Sequence, residues 1–227
     1  MKAFRPTLWA TVFTMTGVAL LLGLGFWQLE RLEWKTALLA TIRERTTAPS
    51  ISLQEALVLK DQAEWRHVHA SGYFLYGKEL YRLAPSEKGQ PGWHTIIPMK
   101  LDNGRILLVN RGWLSEESRQ SAKRDYSLLP ERSKITGTLR LPNPPGALAR
   151  WAGVRNNPRQ NRWQWIDIPA MASAANTDPA LVLPVVLDTS QPRLSFPNNH
   201  LQYALTWFSL AAALLVVWGI KSLDSRS

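Results

Sequence analysis

The 227-residue sequence predicts an α+β membrane protein, with two transmembrane helices flanking a mainly antiparallel β extracytoplasmic domain, a sheet or small barrel with short helices. Three observations lead there. Pro6 to Leu29 is a run of 24 residues without a formal charge, and Leu201 to Ile220 is a second run of 20. Between the two runs lie short segments rich in β-branched and aromatic residues, separated by turn residues. Fourteen of the fifteen prolines fall between Pro49 and Pro197, too many for a helical bundle.

A helix rises about 1.5 Å per residue, so each uncharged run can cross a hydrocarbon core about 30 Å thick. Trp9 and Trp27 are 18 residues apart, close to the separation of the two aromatic belts of a bilayer. Tyr203 and Trp218 occupy the corresponding ends of the second run. The first run is too long for a cleaved signal peptide, and no small-x-small pattern follows before Glu30-Arg31, so it reads as an uncleaved anchor. Lys2, Arg5, Lys221 and Arg226 stand against the single tail acid Asp224, which places both termini in the cytoplasm. The expected order is a cytoplasmic tail (1–5), a first transmembrane helix (6–29), an extracytoplasmic β-rich domain (30–199), a second transmembrane helix (200–220) and a cytoplasmic tail (221–227).

Glu30 to Arg45 lacks Gly and Pro and carries Leu32, Leu38, Leu39 and Ile42 at helical spacing, so it prolongs the first helix into water. Pro49-Ser50 stops it, and a short helix around Leu53–Leu59 follows. Strands are then expected at Trp65–Phe74, Glu79–Leu83, Trp93–Leu101, Arg105–Leu114, Lys134–Leu141, Asn161–Ile168 and Leu181–Asp188. Asp102-Asn103-Gly104 is a hairpin signal. Pro142 to Gly146 is a loop, and Pro169–Ala175 is one or two helical turns.

Zero cysteine excludes a disulfide framework, a thiolate zinc site, an iron–sulfur cluster and a cysteine nucleophile. A net charge of +10 with eleven Trp suggests a nucleic-acid binder, until the charge is located. Four of the 27 cations and one of the 17 acids lie in the tails, which leaves the outer domain at +7, facing headgroups and an extracytoplasmic space. No nucleic acid is expected there. His67-x-His69 on a strand puts two imidazoles on one face, but no third metal ligand follows by spacing, so the pair reads as a polar strand face. There is no G-x-S-x-G, H-E-x-x-H or Walker loop, and no carboxylate pair stands out, so an enzyme is not expected. Gly23-Leu24-Gly25 lies within the first span and reads as a helix-packing surface.

The two span ends must meet on one membrane face. At helical spacing Gln28, Arg31 and Lys35 share a face that Trp27 and Trp34 overlap. The second span opens with Asn198-Asn199-His200, where either Asn can cap and His200 falls in the first turn. The positive end of the helix dipole favours a neutral imidazole there, the form that ligates a metal. Tyr203, Ala204, Trp207 and Ala211 continue the stripe. A neutral imidazole beside aromatics and cations suits haem, with His200 as axial ligand of the iron and Arg31, Lys35 or Arg111 as propionate partners. An interfacial His with snorkelling cations would show the same pattern. Farther on, Val109-Asn110-Arg111-Gly112-Trp113 ends an apolar strand with a planar cation and an aromatic, either a ligand contact or a plain strand end.

Three motifs, Gly25-Phe-Trp-Gln-Leu-Glu-Arg-Leu-Glu-Trp-Lys35, Val109-Asn-Arg-Gly-Trp-Leu114 and Pro197-Asn-Asn-His-Leu-Gln-Tyr-Ala-Leu-Thr-Trp-Phe208, resemble those of the Surfeit locus protein 1 family. Gly92-Trp93-His94 and Trp163 to Met171 are weaker likenesses between them. The resemblance implies a two-span protein that assists assembly of haem–copper terminal oxidases such as cytochrome c oxidase. It implies haem a as cofactor, with the family's haem-linked histidine at His200. The partners implied are oxidase subunit I, a membrane haem synthase and the lipid bilayer. The location implied is the inner membrane of a bacterium, or of the mitochondrion in a eukaryote. Trp27, Gln28, Arg31, Lys35, Tyr203, Arg111 and Trp113 complete the expected cofactor site. The alternatives are a haem-independent scaffold that packs a partner through Gly17, Gly23, Ala204 and Ala211, and a membrane-anchored enzyme with a buried acid–base pair.

Overall fold

The computed structural model describes residues 4, 6–86, 88–120, 132–190 and 198–224. Lys2, Arg5, Arg226 and Pro197 lie outside the described residues. In chain order the elements are α1 (Leu8–Thr47), β1 (Ile51–Ser52), α2 (Leu53–Leu59), β2 (His67–Phe74), β3 (Leu80–Pro85), β4 (Pro91–Leu101), β5 (Ile106–Leu114), α3 (Glu116–Gln120), β6 (Ser133–Arg140), α4 (Ala147–Trp151), β7 (Arg162–Trp163), α5 (Ile168–Ala174), β8 (Val182–Asp188) and α6 (His200–Asp224). They form two compact units, Met1–Thr41 with Leu194–Ser227, and Ile42–Arg193.

The first unit is α1 as far as Thr41, with α6. Each contains an apolar window long enough to span a bilayer, and only 11% of that window is buried, unlike the core helix of a soluble protein. Of the covered positions on α1, Thr11, Thr14, Val18, Leu21, Gly25 and Gln28 recur at alternating steps of three and four, with Gly17 and Leu29 beside them. This is the 3.5-residue period of a left-handed helix pair. On α6 the matching positions are Ala204, Trp207, Ala211 and Leu214. Small residues decide the approach. Ala204 and Ala211 are buried, and a Cβ on Gly25 would collide with the Phe208 ring. Phe26 meets Phe208 edge-to-face at 5.4 Å, and the Trp218 indole donates to Thr11 Oγ1 at 3.2 Å.

The second unit is a barrel with a flanking layer. Strand order runs β1-β2-β6-β8-β5-β4-β3-β7, and β2 also pairs with β4, which closes β2, β6, β8, β5 and β4 into a ring. The eleven-residue β4 makes this possible by serving two neighbours on one side. Its first half pairs with β3, and its end pairs with β2 at Gly72↔Leu101 to Phe74↔Met99. A bulge between His94 and Ile96 lies along the strand. Gly72 permits the closure, because a Cβ there would collide with the Lys100 carbonyl oxygen. The pairing is mainly antiparallel, as expected, but β5 and β8 run parallel, as do the short β1 and β7 beside β2 and β3.

Side chains alternate across the barrel wall. Leu107 and Val109 enter the interior with Val68, Met99, Leu139 and Leu187, all fully buried. Leu53 and Ala56 of α2 join this core, and α2 itself begins with a capping box between Ser52 and Glu55. Ile106 and Leu108 face outward with Leu80, Ile96 and Val186, and are covered by Trp163 and by Met171 and Ala172 of α5. Burial on both faces explains the unbroken apolar run Ile106–Val109. The strand expected over Asn161–Ile168 shrinks to Arg162–Trp163. Asn156 Oδ1 accepts from the Gln164 and Trp165 amides, and Asp167 caps α5, so the backbone beyond Trp163 is claimed by side chains.

At the C-terminal end of β8 a polar cluster takes over from the apolar layer. Asn110 is 3% exposed, and every polar group it carries beyond the ladder is used. Its carbonyl accepts from the Thr189 amide at 3.0 Å and the Thr189 hydroxyl at 2.8 Å. Its Oδ1 accepts from the Gly112 amide at 3.1 Å, and its Nδ2 donates to Asp188 Oδ1 at 3.0 Å. His94 Nδ1 stands 2.9 Å from the Asn110 Nδ2. Burial lowers the pKa of His94, assisted by nearby Arg82, and this outweighs the opposing pull of Asn110 and Asp188.

Two outcomes follow from this packing. Gly72→Ala should lower the melting temperature of the detergent-solubilised chain, by about 1–3 kcal/mol of overpacking, whereas Gly146→Ala, with open space around its Cβ, should leave it unchanged. Because the folded state binds the His94 proton more weakly than the unfolded chain, acidification below the unfolded pKa of about 6.5 protonates the unfolded state first. His94 therefore contributes stability above that pH, and it is lost as pH falls toward the depressed folded value. Melting curves should show the advantage of the wild type over His94→Gln narrowing between about pH 7.5 and about pH 5.

Candidate functional site

In the first unit the 3.5-residue seam carries a polar pair at its end. Gly25 and Gln28 are successive covered positions on α1, and His200 precedes Ala204 by one turn on α6. The apolar packing below thus brings Gln28 and His200 face to face, with the imidazole Nδ1 2.7 Å from Gln28 Oε1. A carbonyl oxygen only accepts, so Nδ1 carries the hydrogen. Nε2 then carries the lone pair that a metal would take, and it has no hydrogen-bond partner among the described residues, while the amide fixes both tautomer and ring orientation.

The start of α6 is tied down by its asparagines. Asn199 supplies the carbonyl that accepts from the Tyr203 amide, the first turn of the helix. Asn198 donates through Nδ2 to Thr36 Oγ1 of α1 at 3.4 Å, and its own Oδ1 is buried without a partner among the described residues. Thr36 had no signal in the sequence, since nothing in its spacing marks it as a tether. Trp27 and Tyr203 flank the His–Gln pair in sequence and are 54% and 55% exposed, so both rings offer faces to an apolar ligand or to lipid. Arg31, one turn after Gln28, stacks on Trp34 with its guanidinium carbon 3.9 Å from the ring centroid. Lys35 follows on the same face and is half-buried. Six of the expected site residues therefore belong to this unit: Trp27, Gln28, Arg31, Lys35, His200 and Tyr203.

Arg111 and Trp113 belong to the second unit, on β5. Arg111 is exposed, with its guanidinium carbon 4.9 Å from the centroid of the Phe74 ring. The Trp113 indole donates to the Ala84 carbonyl at 3.0 Å and lies so close to Gly92 that a Cβ there would collide with it. Gly112 between them has φ +111°, and the buried Asn110 holds it. The Asn-Arg-Gly-Trp segment is thus organised from its asparagine, which ties β5 to Asp188-Thr189-Ser190. That role was hidden in the sequence, because the partners lie nearly eighty residues away.

The cluster around Asn110 contains His, Asp and Ser, the residue types of an acyl-transfer site, but not its connections. Ser190 Oγ donates to Asp188 Oδ1 at 2.5 Å, and His94 faces the Asn110 amide instead of the hydroxyl. No serine–imidazole pair is formed, so the arrangement has no activated nucleophile. His67 and His69 sit opposite Thr138 and Thr136 on β6, and no group of three metal-binding side chains occurs among the described residues.

Comparison with known proteins agrees with this architecture along nearly its whole length. The family model described as "SURF1 family" matches residues 15–212. A SURF1-like protein of Rickettsia bellii (strain RML369-C) is 30% identical over 221 residues, covering 89% of this chain and 87% of that protein. Surfeit locus protein 1 of Mus musculus is 29% identical over 221 residues, covering 86% of this chain and 70% of the mouse protein. The Homo sapiens protein of the same name is 28% identical over 224 residues, with 88% and 73% covered. The span matched by the family model takes in α1 from residue 15, the barrel domain, and α6 as far as residue 212, and so includes Gln28 and His200. With that extent of match, the chain belongs to the SURF1 family.

Proposed function

We propose that this chain is a non-catalytic assembly factor for a haem–copper terminal oxidase, which holds haem a at the outer membrane face and passes it to subunit I. The observation that carries the proposal is the His200–Gln28 hydrogen bond, which makes Nε2 the nitrogen that would coordinate. The tail charges support an orientation with both termini in the cytoplasm and the barrel domain outside, in the bacterial or mitochondrial inner membrane. A membrane haem synthase is the natural donor, since a group this apolar is best transferred within the bilayer.

The donor set fits the group. His200 would supply a nitrogen ligand to the iron, Gln28 would hold that ring in its ligating tautomer, and Arg31 and Lys35 would meet the propionates. Trp27 and Tyr203, both half-exposed, would cover the faces of the ring. When bound, haem contributes a ferric or ferrous centre open to one protein nitrogen and two carboxylates to be neutralised. Arg111 and Trp113 lie on β5 of the barrel domain, where the exposed Arg111 faces Phe74 and Trp113 donates to the Ala84 carbonyl.

The haem-independent scaffold remains the second reading, and one observation limits it. Ala204, Ala211, Gly17 and Gly25 are consumed in packing α1 on α6, whereas Gly23 has open space around it. A partner helix seated by small residues would therefore use exposed ones such as Gly23 on α1 or Ala212 and Ala213 on α6.

Co-expression with haem a biosynthesis and purification in detergent should give a chain with a haem absorption spectrum. His200→Ala should lose that spectrum at equal protein yield, and a spectrum unchanged by the substitution would remove His200 as ligand. Gln28→Leu should lower haem occupancy by about ten- to a hundredfold, the usual cost of losing a ligand's supporting hydrogen bond. Gln28→Glu, which keeps an acceptor for Nδ1–H, should restore occupancy, as read by haem-to-protein absorbance ratio.

A further inference from the structure

The barrel domain carries a surface feature that neither its core nor the proposed haem site uses. No residue of α4 is buried. Leu148 and Trp151, three apart and hence on one face, are 77% and 85% exposed, far beyond what packing within the domain requires. Arg150, Arg155, Arg159 and Arg162 fall in the same stretch of chain and are all exposed, and no acid occurs between Ala147 and Ile166.

The segment has a defined shape. Gly153, at φ +88°, ends α4, with the Val154 amide bonding back to the Ala149 carbonyl. The backbones of Asn157 and Arg162 then exchange two hydrogen bonds, at 2.8 and 3.0 Å. Asn156 clamps the Gln164 and Trp165 amides through its side chain. Arg150, Arg155 and Arg159 thus lie exposed on the same hydrogen-bonded segment that carries Trp151 and Leu148, and Arg162 ends it with its guanidinium carbon 5.8 Å from the Trp93 ring centroid.

We propose that residues 147–162 dock on the anionic headgroups of the bilayer in which the chain is anchored. Two apolar side chains on a five-residue helix fall well short of the about 800 Å² per partner that a stable protein interface buries. They match the interfacial depth at which Trp and Leu enter a membrane. Clustered arginines without acids match an anionic surface. The chain's own helices keep that surface at high effective concentration, so a small patch suffices. This inference does not depend on haem binding.

The absence of cysteine allows a clean test. The full chain with Ala152→Cys, labelled with an environment-sensitive fluorophore, is placed one per nanodisc, in phosphatidylcholine alone or mixed with phosphatidylglycerol. Acrylamide, a neutral quencher indifferent to the arginines, reads exposure of the label. Quenching should be several-fold weaker, and emission shifted to the blue, in the phosphatidylglycerol discs. The difference should disappear in about 1 M salt, where the Debye length falls to about 3 Å. It should also disappear in an Arg150→Gln, Arg155→Gln, Arg159→Gln variant that melts as the parent does. Equal quenching in the two lipids, strong or weak, would overturn the assignment, and so would a difference that persists in the triple variant.

Discussion

The close approach of α1 and α6 is the interaction on which the candidate site depends. Inside a bilayer, apolar side chains gain nothing by leaving lipid for another helix, so association rests on how near two backbones can come. Here Gly17, Gly25, Ala204 and Ala211 permit that approach, and the Phe208 ring occupies the space that a side chain on Gly25 would need. The same 3.5-residue repeat that packs these residues sets the rotation of both helices at their ends. Gln28 and His200 meet because they continue the seam, and the imidazole is oriented before any ligand arrives.

A comparable division of labour operates in the barrel domain. Its closure depends on β4 being long enough to pair with β3, β5 and β2, and on Gly72 allowing the last of these pairings. At the end of β8 the fold exchanges apolar packing for the fully bonded Asn110, which joins β5 to the residues that lead toward the second membrane helix. A buried amide whose groups are all satisfied specifies one arrangement of its neighbours more strictly than an apolar residue of its size. The Asn-Arg-Gly-Trp segment is thus a structural junction first, and its arginine is the member presented to solvent.

Much of this was legible in the chain. Long uncharged runs bounded by charges announce membrane helices, because no other use of such a segment leaves its flanks apolar all round. Strand positions in the barrel followed from β-branched and aromatic clusters, and short helices were expected where α2 and α5 form. The short β7 was overread, since alternation cannot reveal that the Asn156 side chain captures the amides after Trp163. The five-residue α4 went unseen, as it buries nothing and so leaves no periodicity. The parallel pairing of β5 with β8 was equally invisible, because strand direction depends on which segments become neighbours.

By itself the sequence determined that this is a two-span protein with a β-rich domain between the spans, and that a histidine stands in the first turn of the second span. Those properties are local: charge, length and residue type along one stretch of chain dictate them. Only the tertiary structure decided that Gln28 is the partner of His200, that Asn198 reaches Thr36, and that Trp113 is committed to Ala84. Each of these is a hydrogen bond across a large sequence separation, 172 residues in the case of Gln28 and His200, and its geometry exists only once helix packing and barrel closure have brought the two segments together.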